Sequence, residues 1–217
     1  MSIDRPAASS RTPHSVVPLE AGGGPENPPC PSCAEPLFGW VDERPGLAGP
    51  VRRCESCGLG VVGDPPSAAE ALGELVRQQR GEVVRIANRG SFSAWIGGAG
   101  WAGLTPGARC LFTVEAVRRL VGRRDEVVRG ARWATLAGVA TMWQTVLNGF
   151  TFGRNVALGA LGRSESVPAD RSWQRRLDTL ISIAVALPAL LVALPMEGIA
   201  AALGRGSAVD LETEVLR

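Results

Sequence analysis

The strongest constraint on the fold of this chain is a set of four cysteines arranged as two pairs, each pair with two residues between its members. The first pair is Cys30 and Cys33, the second is Cys54 and Cys57, and 20 residues separate the pairs. This spacing is typical of a structural zinc ribbon, in which each pair forms a tight turn that directs two sulfurs at one ion. Gly58 follows the second pair, where such a turn often needs a positive φ.

Two disulfides are the alternative interpretation of the same four cysteines. We favour zinc because the N-terminal residues show no signal peptide, and because the fifth cysteine, Cys110, lies alone among apolar residues. A closed site with four thiolates leaves no open position for a substrate. The predicted metal therefore stabilises the fold and does not take part in a reaction.

Composition excludes several function classes. The net charge of +2 is too small to indicate a nucleic-acid partner. All 23 basic residues are arginines, so the chain has neither a Schiff-base lysine nor a P-loop lysine. The single histidine, His14, lies in a polar stretch rich in proline, serine and glycine, which argues against a histidine base. No catalytic residue is predicted.

Shifts in composition divide the 217 residues into three predicted regions. Residues 1–29 are rich in glycine and proline without an apolar period, and we predict a disordered tail. Residues 30–66 form the zinc ribbon. Residues 67–217 form a second region with a helical insertion over about 134–204.

The second region carries helix and strand signals in alternation. Ser67, with Glu70 three residues later, is a capping box that predicts the start of a helix. The other predicted elements are a strand over 82–87, a helix led by Ser91, a helix begun by Thr113, a strand over 126–132, a long apolar helix-like stretch over 136–161, a helix from about Arg171 and a strand over 208–216.

Several elements and single residues of this region follow one another in a characteristic order. The order is a helix from Leu75 to Gly81, a strand that ends in Asn88, then Ser91, Trp101, Pro106 and the Phe112-Thr113 pair. This order resembles the C-terminal half of class I S-adenosylmethionine-dependent methyltransferases, many of which carry an N-terminal four-cysteine zinc ribbon. The resemblance implies a mixed α+β/α/β fold, with the ribbon followed by a truncated, helix-rich, methyltransferase-like half-domain.

The same resemblance implies that the cofactor-binding half should precede residue 68. That half would hold a glycine-rich turn and an acidic residue for the ribose hydroxyls. The chain has only about five residues there, between Val62 and Ala68. We therefore expect no S-adenosylmethionine site of its own. The remaining candidates for a reduced site are Asn88, Gly98 and Gly100, because residues 98–103 fit G-x-G-x-x-G, although no strand–turn–helix unit surrounds them.

One stretch is apolar enough to raise the question of a membrane. Residues 179–196 contain no charge, and 18 residues is near the lower limit for crossing a bilayer. Pro188, Pro195 and the lack of an aromatic belt argue against a span. We expect a buried or partner-covered helix whose Leu and Ile side chains pack on the sheet. Contact of 179–204 with a membrane surface, and a spanning helix, remain open alternatives.

These observations lead to one functional hypothesis and two alternatives. The first is a methyltransferase-like zinc-ribbon protein that acts as a partner or scaffold. The alternatives are an active methyltransferase with a reduced site and a membrane-associated zinc-ribbon adaptor. The strand Val83–Ala87 would present an unpaired edge in a truncated fold, so we expect a homo-oligomer or a protein partner there. We expect a cytoplasmic location, with membrane association open.

Overall fold

The computed structural model describes residues 27–42, 47–77, 79–80, 83–122, 126–162, 166–169 and 171–215. All but three residues of the predicted tail lie outside these ranges. In chain order the elements are β1 (Leu37–Val41), β2 (Val51–Cys54), β3 (Gly60–Val62), α1 (Ala68–Arg77), β4 (Gln79–Arg80), β5 (Val83–Ala87), α2 (Phe92–Gly97), a 3₁₀ turn (Gly98–Gly100), β6 (Cys110–Leu111), α3 (Val114–Gly122), β7 (Glu126–Trp133), α4 (Thr135–Asn148), α5 (Val156–Ala160), α6 (Ser172–Ala202) and β8 (Ala208–Val215).

The ribbon is built on an antiparallel sheet in the order β1-β2-β3-β6. The last strand that the ribbon itself contributes is β3, over Gly60–Val62. Its outer edge is covered by β6, with Val61 opposite Cys110 and Gly60 opposite Leu111. A residue pair from the second region therefore completes the sheet of the ribbon.

A second antiparallel sheet has the order β4-β5-β8-β7. It confirms the predicted strands near 82–87, 126–132 and 208–216, of which residues 82 and 216 lie outside the described ranges. The last strand lies in the middle, with Val84 opposite Leu211 and Ile86 opposite Val209. The short β4 pairs with Val83 and Val84, so the outer edge of β5 is not open along its whole length as expected. After α1 the chain turns back, so that β4 pairs with β5 and covers part of this edge.

One apolar core lies between the two sheets and the first helices. It joins Leu37 and the cysteines of the ribbon to Leu75 of α1, Leu120 of α3, Ile86 and Leu211. The capping box predicted at Ser67 is confirmed, since the Glu70 N–H donates to Ser67 Oγ at 3.2 Å and the Ser67 N–H donates to the Glu70 carboxylate at 2.8 Å. The ribbon and the second region thus share buried side chains.

The apolar stretch over 136–161 is two helices and not one. α4 ends at Asn148 and α5 begins at Val156. Asn155 has φ +54° between them, a left-handed conformation that does not continue a helix. The Asn148 Oδ1 accepts the Asn155 N–H at 2.9 Å and fixes the connection.

α6 has 31 residues and is therefore about 46 Å long. The expectation that its Leu and Ile side chains pack on the sheet is wrong, because Leu180, Ile183, Leu187 and Leu191 are 63–71% exposed. Small side chains face inward instead, where α6 packs against α4. The buried alanines are Ala189, Ala193 and Ala200.

Candidate metal centre

The four predicted cysteine ligands converge on one point. All four sulfurs lie within 4.8 Å of one another. The Cys30 and Cys57 sulfurs are 3.6 Å apart, and those of Cys33 and Cys54 are 3.4 Å apart. Four sulfurs at about 2.3 Å from a tetrahedral zinc ion would be about 3.8 Å from one another. The cluster is therefore positioned to bind one metal ion, and its dimensions fit zinc.

Each cysteine pair lies on a turn closed by a backbone hydrogen bond. The Ala34 N–H donates to the Cys30 carbonyl at 2.8 Å, and the Gly58 N–H donates to the Cys54 carbonyl at 3.0 Å. Both closing residues have positive φ, +66° at Ala34 and +75° at Gly58. The expectation for Gly58 is confirmed. Ala34 adopts the same conformation with a Cβ, which is unfavourable for an L-residue.

The centre is largely buried and attached to α3. Cys30, Cys54 and Cys57 are almost fully buried, and Cys33 is partly exposed. The Thr113 hydroxyl, which caps α3, donates to the Cys57 carbonyl at 2.5 Å. Ser32 donates to the Ala116 carbonyl at 3.0 Å from the other turn. A buried four-thiolate set of this kind leaves no position for a substrate.

The electrostatics of the centre depend on a hydrogen bond between two of its thiols and on arginines that lie nearby. The hydrogen bond between Cys30 and Cys57 raises the pKa of Cys30 and lowers the pKa of Cys57 to about 5. A metal ion must therefore displace the proton that Cys30 holds. Arg89 lies over the Trp40 ring at 4.3 Å and donates to the Gly58 carbonyl. Burial, with a contribution from nearby Arg53, lowers the pKa of Arg89 to about 10.

The first of the cofactor candidates, Asn88, has an internal structural role. Its side chain is buried and donates to the Gly206 carbonyl at 3.0 Å, while its Oδ1 accepts the Gly90 N–H at 3.0 Å. Asn88 therefore fixes the turn after β5 against the segment that leads into β8.

The glycine-rich run around Gly98 and Gly100 is a loop that packs around buried Trp101. A Cβ at Gly103 would lie 2.3 Å from the Trp101 ring, so this glycine allows the ring to pack. Gly98 ends α2 with φ +47°. The Gly100 carbonyl accepts a hydrogen bond from Asn148 at 2.8 Å. The run therefore contacts other parts of the chain closely.

A cavity of about 300 Å³ lies beside this loop. This volume is at the lower limit for small-molecule sites. Arg154 and Asn148 line the cavity and donate to the carbonyls of the loop, at 3.2 Å to Ala99 and 2.8 Å to Gly100. The other lining residues are Thr151, Phe152, Val167, Pro168, Ala169 and Gln174.

Sequence reasoning missed the inward-facing carboxylates of α6. Asp178 accepts the N–H groups of Phe152 and Gly153, each at 2.8 Å. Glu197 accepts the N–H and hydroxyl of Ser207 at 2.7 and 2.5 Å, and burial raises the pKa of Glu197. For Glu197, the available signal in the sequence was its position as the single acidic residue of an otherwise uncharged stretch.

α6 is the second feature of the chain that is a candidate for a functional role. By length and composition it is the one helix, among the described residues, that could cross a membrane. Only 17% of its apolar window is buried by the rest of the chain.

Comparison of the chain with models of known protein families, with curated proteins and with solved structures gives no match. The relationship to methyltransferases consequently stays a prediction from the order of its residues.

Proposed function

We propose that this chain is a non-enzymatic scaffold, in which the ribbon and the second sheet hold α6 so that its apolar face contacts a larger apolar surface. It would thus act as a zinc-ribbon adaptor. One observation carries the proposal: from residue 179 to 203, the exposed side of α6 bears no charged side chain. Its members are Thr179, Leu180, Ile183, Ala184, Leu187, Pro188, Leu191, Val192, Leu194, Pro195, Gly198, Ile199, Ala202 and Leu203.

A contiguous apolar surface of this length is rare on a monomeric soluble protein and usually marks an interaction site. Four of its side chains, Leu180, Ile183, Leu187 and Leu191, are 63–71% exposed. Covering the exposed part of these four side chains, about two thirds of each, would contribute about 4–8 kcal/mol, taking about 1.5–3 kcal/mol for a side chain that goes from fully exposed to fully buried. That free energy is large enough to hold the chain on another surface.

The metal centre supports a structural role within this scaffold. We propose that the ion is zinc, because four thiolates in a closed set favour zinc over the hard cations. The centre fixes the ribbon to α3, and through the shared core it fixes the sheet on which the helices rest.

We also propose that the chain is methyltransferase-related but lacks an S-adenosylmethionine site of its own. Two observations support this: the internal hydrogen bonds of Asn88, and the close packing of Gly103 on Trp101. The alternative, an active methyltransferase with a reduced site, is favoured by the cavity beside Gly100. Calorimetric titration with S-adenosylmethionine separates the two, and we expect no binding. Micromolar binding that is lost in Gly100→Val would overturn the scaffold proposal.

The apolar face is tested by its effect on association. We expect the zinc-loaded full chain to sediment as a self-associated species or to require detergent, and the double variant Leu187→Gln/Leu191→Gln to be monodisperse. Val76→Gln is the matched control, because Val76 is a half-exposed apolar residue on α1. A wild-type chain that is monodisperse without detergent, and that binds neither lipid nor protein, contradicts the proposal.

A further inference from the structure

We infer that the surface contacted by α6 is a lipid bilayer, and that the helix lies in the plane of the membrane with the rest of the chain above it. This inference rests on the proposed scaffold function and names the occupant of its apolar face. The contacts that α6 makes along its length favour surface association over a spanning helix.

The charge distribution of α6 favours lipid over protein. Glu197 is the only ionisable residue between 179 and 204, and it is 1% exposed because it faces Ser207. The outward face therefore runs for about 37 Å, or 25 residues, with Thr179 as its only polar side chain. Protein interfaces carry a polar rim and about one hydrogen bond for each 100–200 Å². This face offers almost no side-chain partners for such bonds.

The two ends of α6 carry the residue types that occur at a membrane surface. Trp173 and Phe152 are half-exposed and meet edge to face, with ring centroids 5.6 Å apart. Arg171 and Arg176 are exposed at the same end, and Arg205 is exposed at the other. Aromatic side chains are enriched where hydrocarbon meets headgroups, and arginines near the surface attract anionic lipids. The fold thus brings an aromatic pair to this end that the sequence alone did not indicate.

The in-plane orientation follows from where the rest of the chain touches α6. Asp178 binds the segment after α4, the Ala186 carbonyl accepts the Trp143 indole N–H at 2.8 Å, and Glu197 binds Ser207. These contacts extend over about 28 Å of the helix, which is close to the 30 Å thickness of the hydrocarbon.

A spanning helix would therefore carry much of the second region into the hydrocarbon. That region includes β8, which begins next to Ser207 and whose Asp210 pairs with Arg85 at 2.6 Å. Charged groups are costly at that depth. A helix in the plane of the surface buries only its outward face, while α4 and the sheet remain on the aqueous side.

Binding is tested by flotation of the zinc-loaded full chain with phosphatidylcholine vesicles, with and without phosphatidylglycerol. We expect binding that is stronger with the anionic lipid. Leu187→Gln/Leu191→Gln should weaken the apparent affinity about tenfold or more, since both leucines leave the apolar face, and Val76→Gln should bind as the wild type does. Zinc content and circular dichroism establish that each variant is folded. Equal binding by the double variant would overturn the assignment of this face.

Orientation is tested by depth-dependent quenching. A fluorophore is attached at Leu180→Cys, Leu191→Cys or Ile199→Cys in a zinc-loaded Cys110→Ala background, with that background as the labelling control. Lipids that carry quenchers at shallow or deep positions then report the depth. We expect the same shallow depth at all three sites. A deep position for residue 191 between two shallow ends would show a spanning helix and overturn the in-plane geometry.

Failure of this inference and failure of the proposed function give different results. A chain that binds no vesicles of either composition, yet self-associates through Leu187 and Leu191, overturns the lipid assignment and leaves the scaffold in place. Micromolar binding of S-adenosylmethionine that is lost in Gly100→Val overturns the scaffold, whatever the vesicles show.

Discussion

Ala34→Gly should stabilise the ribbon, although it removes a side chain. Ala34 closes the first cysteine turn at φ +66°, a conformation that costs an L-residue about 1–2 kcal/mol. Its methyl group is exposed, so little packing is lost. Glycine costs about 0.5–1 kcal/mol through the entropy of the unfolded chain. The midpoints of these two ranges differ by about 0.75 kcal/mol, so we expect a net gain of about 0.5–1 kcal/mol.

Because folding of the ribbon is coupled to metal binding, this gain should appear as tighter zinc binding. A gain of about 0.5–1 kcal/mol corresponds to an affinity about two- to fivefold higher, measured by competition with a chromogenic chelator. In thermal unfolding the midpoint should rise by about 1–4 °C for a chain of this size.

The second cysteine turn allows the opposite substitution, from glycine to alanine, as a matched control. Gly58→Ala adopts the same backbone conformation, but its Cβ would lie 2.9 Å from the Thr113 methyl group. It should weaken zinc binding by about 1–3 kcal/mol, since close contact adds to the backbone term. If Ala34→Gly also weakens binding, the backbone argument is refuted and the Ala34 methyl group must stabilise the turn in some other way.

Three further predictions concern the metal and the buried acid of α6. The chain should hold one equivalent of zinc by elemental analysis, and Cys54→Ser should unfold the ribbon in circular dichroism; two disulfides in thiol titration would reject this. Mild chelation should also expose Cys110, now buried against Glu74, to thiol reagents, because β6 belongs to the ribbon sheet. The raised pKa of Glu197 means that the stability contributed by its protonated form is present below pH 4.5 and is lost as the pH rises through the raised pKa. Glu197→Gln should remove that loss. In urea unfolding between pH 5 and 8, the free energy of unfolding of the variant should therefore rise relative to that of the wild type as the pH increases. The same pH dependence in both proteins would contradict the assignment.

Much of the local structure could be predicted from the sequence because its signals lie within a few residues of one another. The cysteine pairs, the capping box at Ser67 and the cap at Thr113 each specify a local hydrogen bond or ligand set, and all three are present. The strands at Val83–Ala87 and Ala208–Val215 carry an apolar pattern long enough to detect.

The structural features that were not predicted from the sequence depend on contacts between distant parts of the chain. β4 and β6 have two residues each, too few for any periodic pattern, and exist because another strand edge lies beside them. Glu197 was the one sequence signal for the face that α6 buries, because the rest of residues 179–203 is almost entirely apolar and gives no contrast between its sides. Association through the edge of β5 stays a prediction, now limited by the cover that β4 provides over Val83 and Val84.

The position of β6 also sets an order of events during synthesis. The four metal ligands have all been translated by residue 57, but the strand that covers β3 arrives only with Cys110 and Leu111. At about 5–20 residues per second, this leaves several seconds in which the ribbon has its ligands and an uncovered edge. Metal uptake in that interval would give the growing chain a folded edge on which β6 can pair. The N-terminal ribbon would then serve as the template on which the remainder of the core assembles.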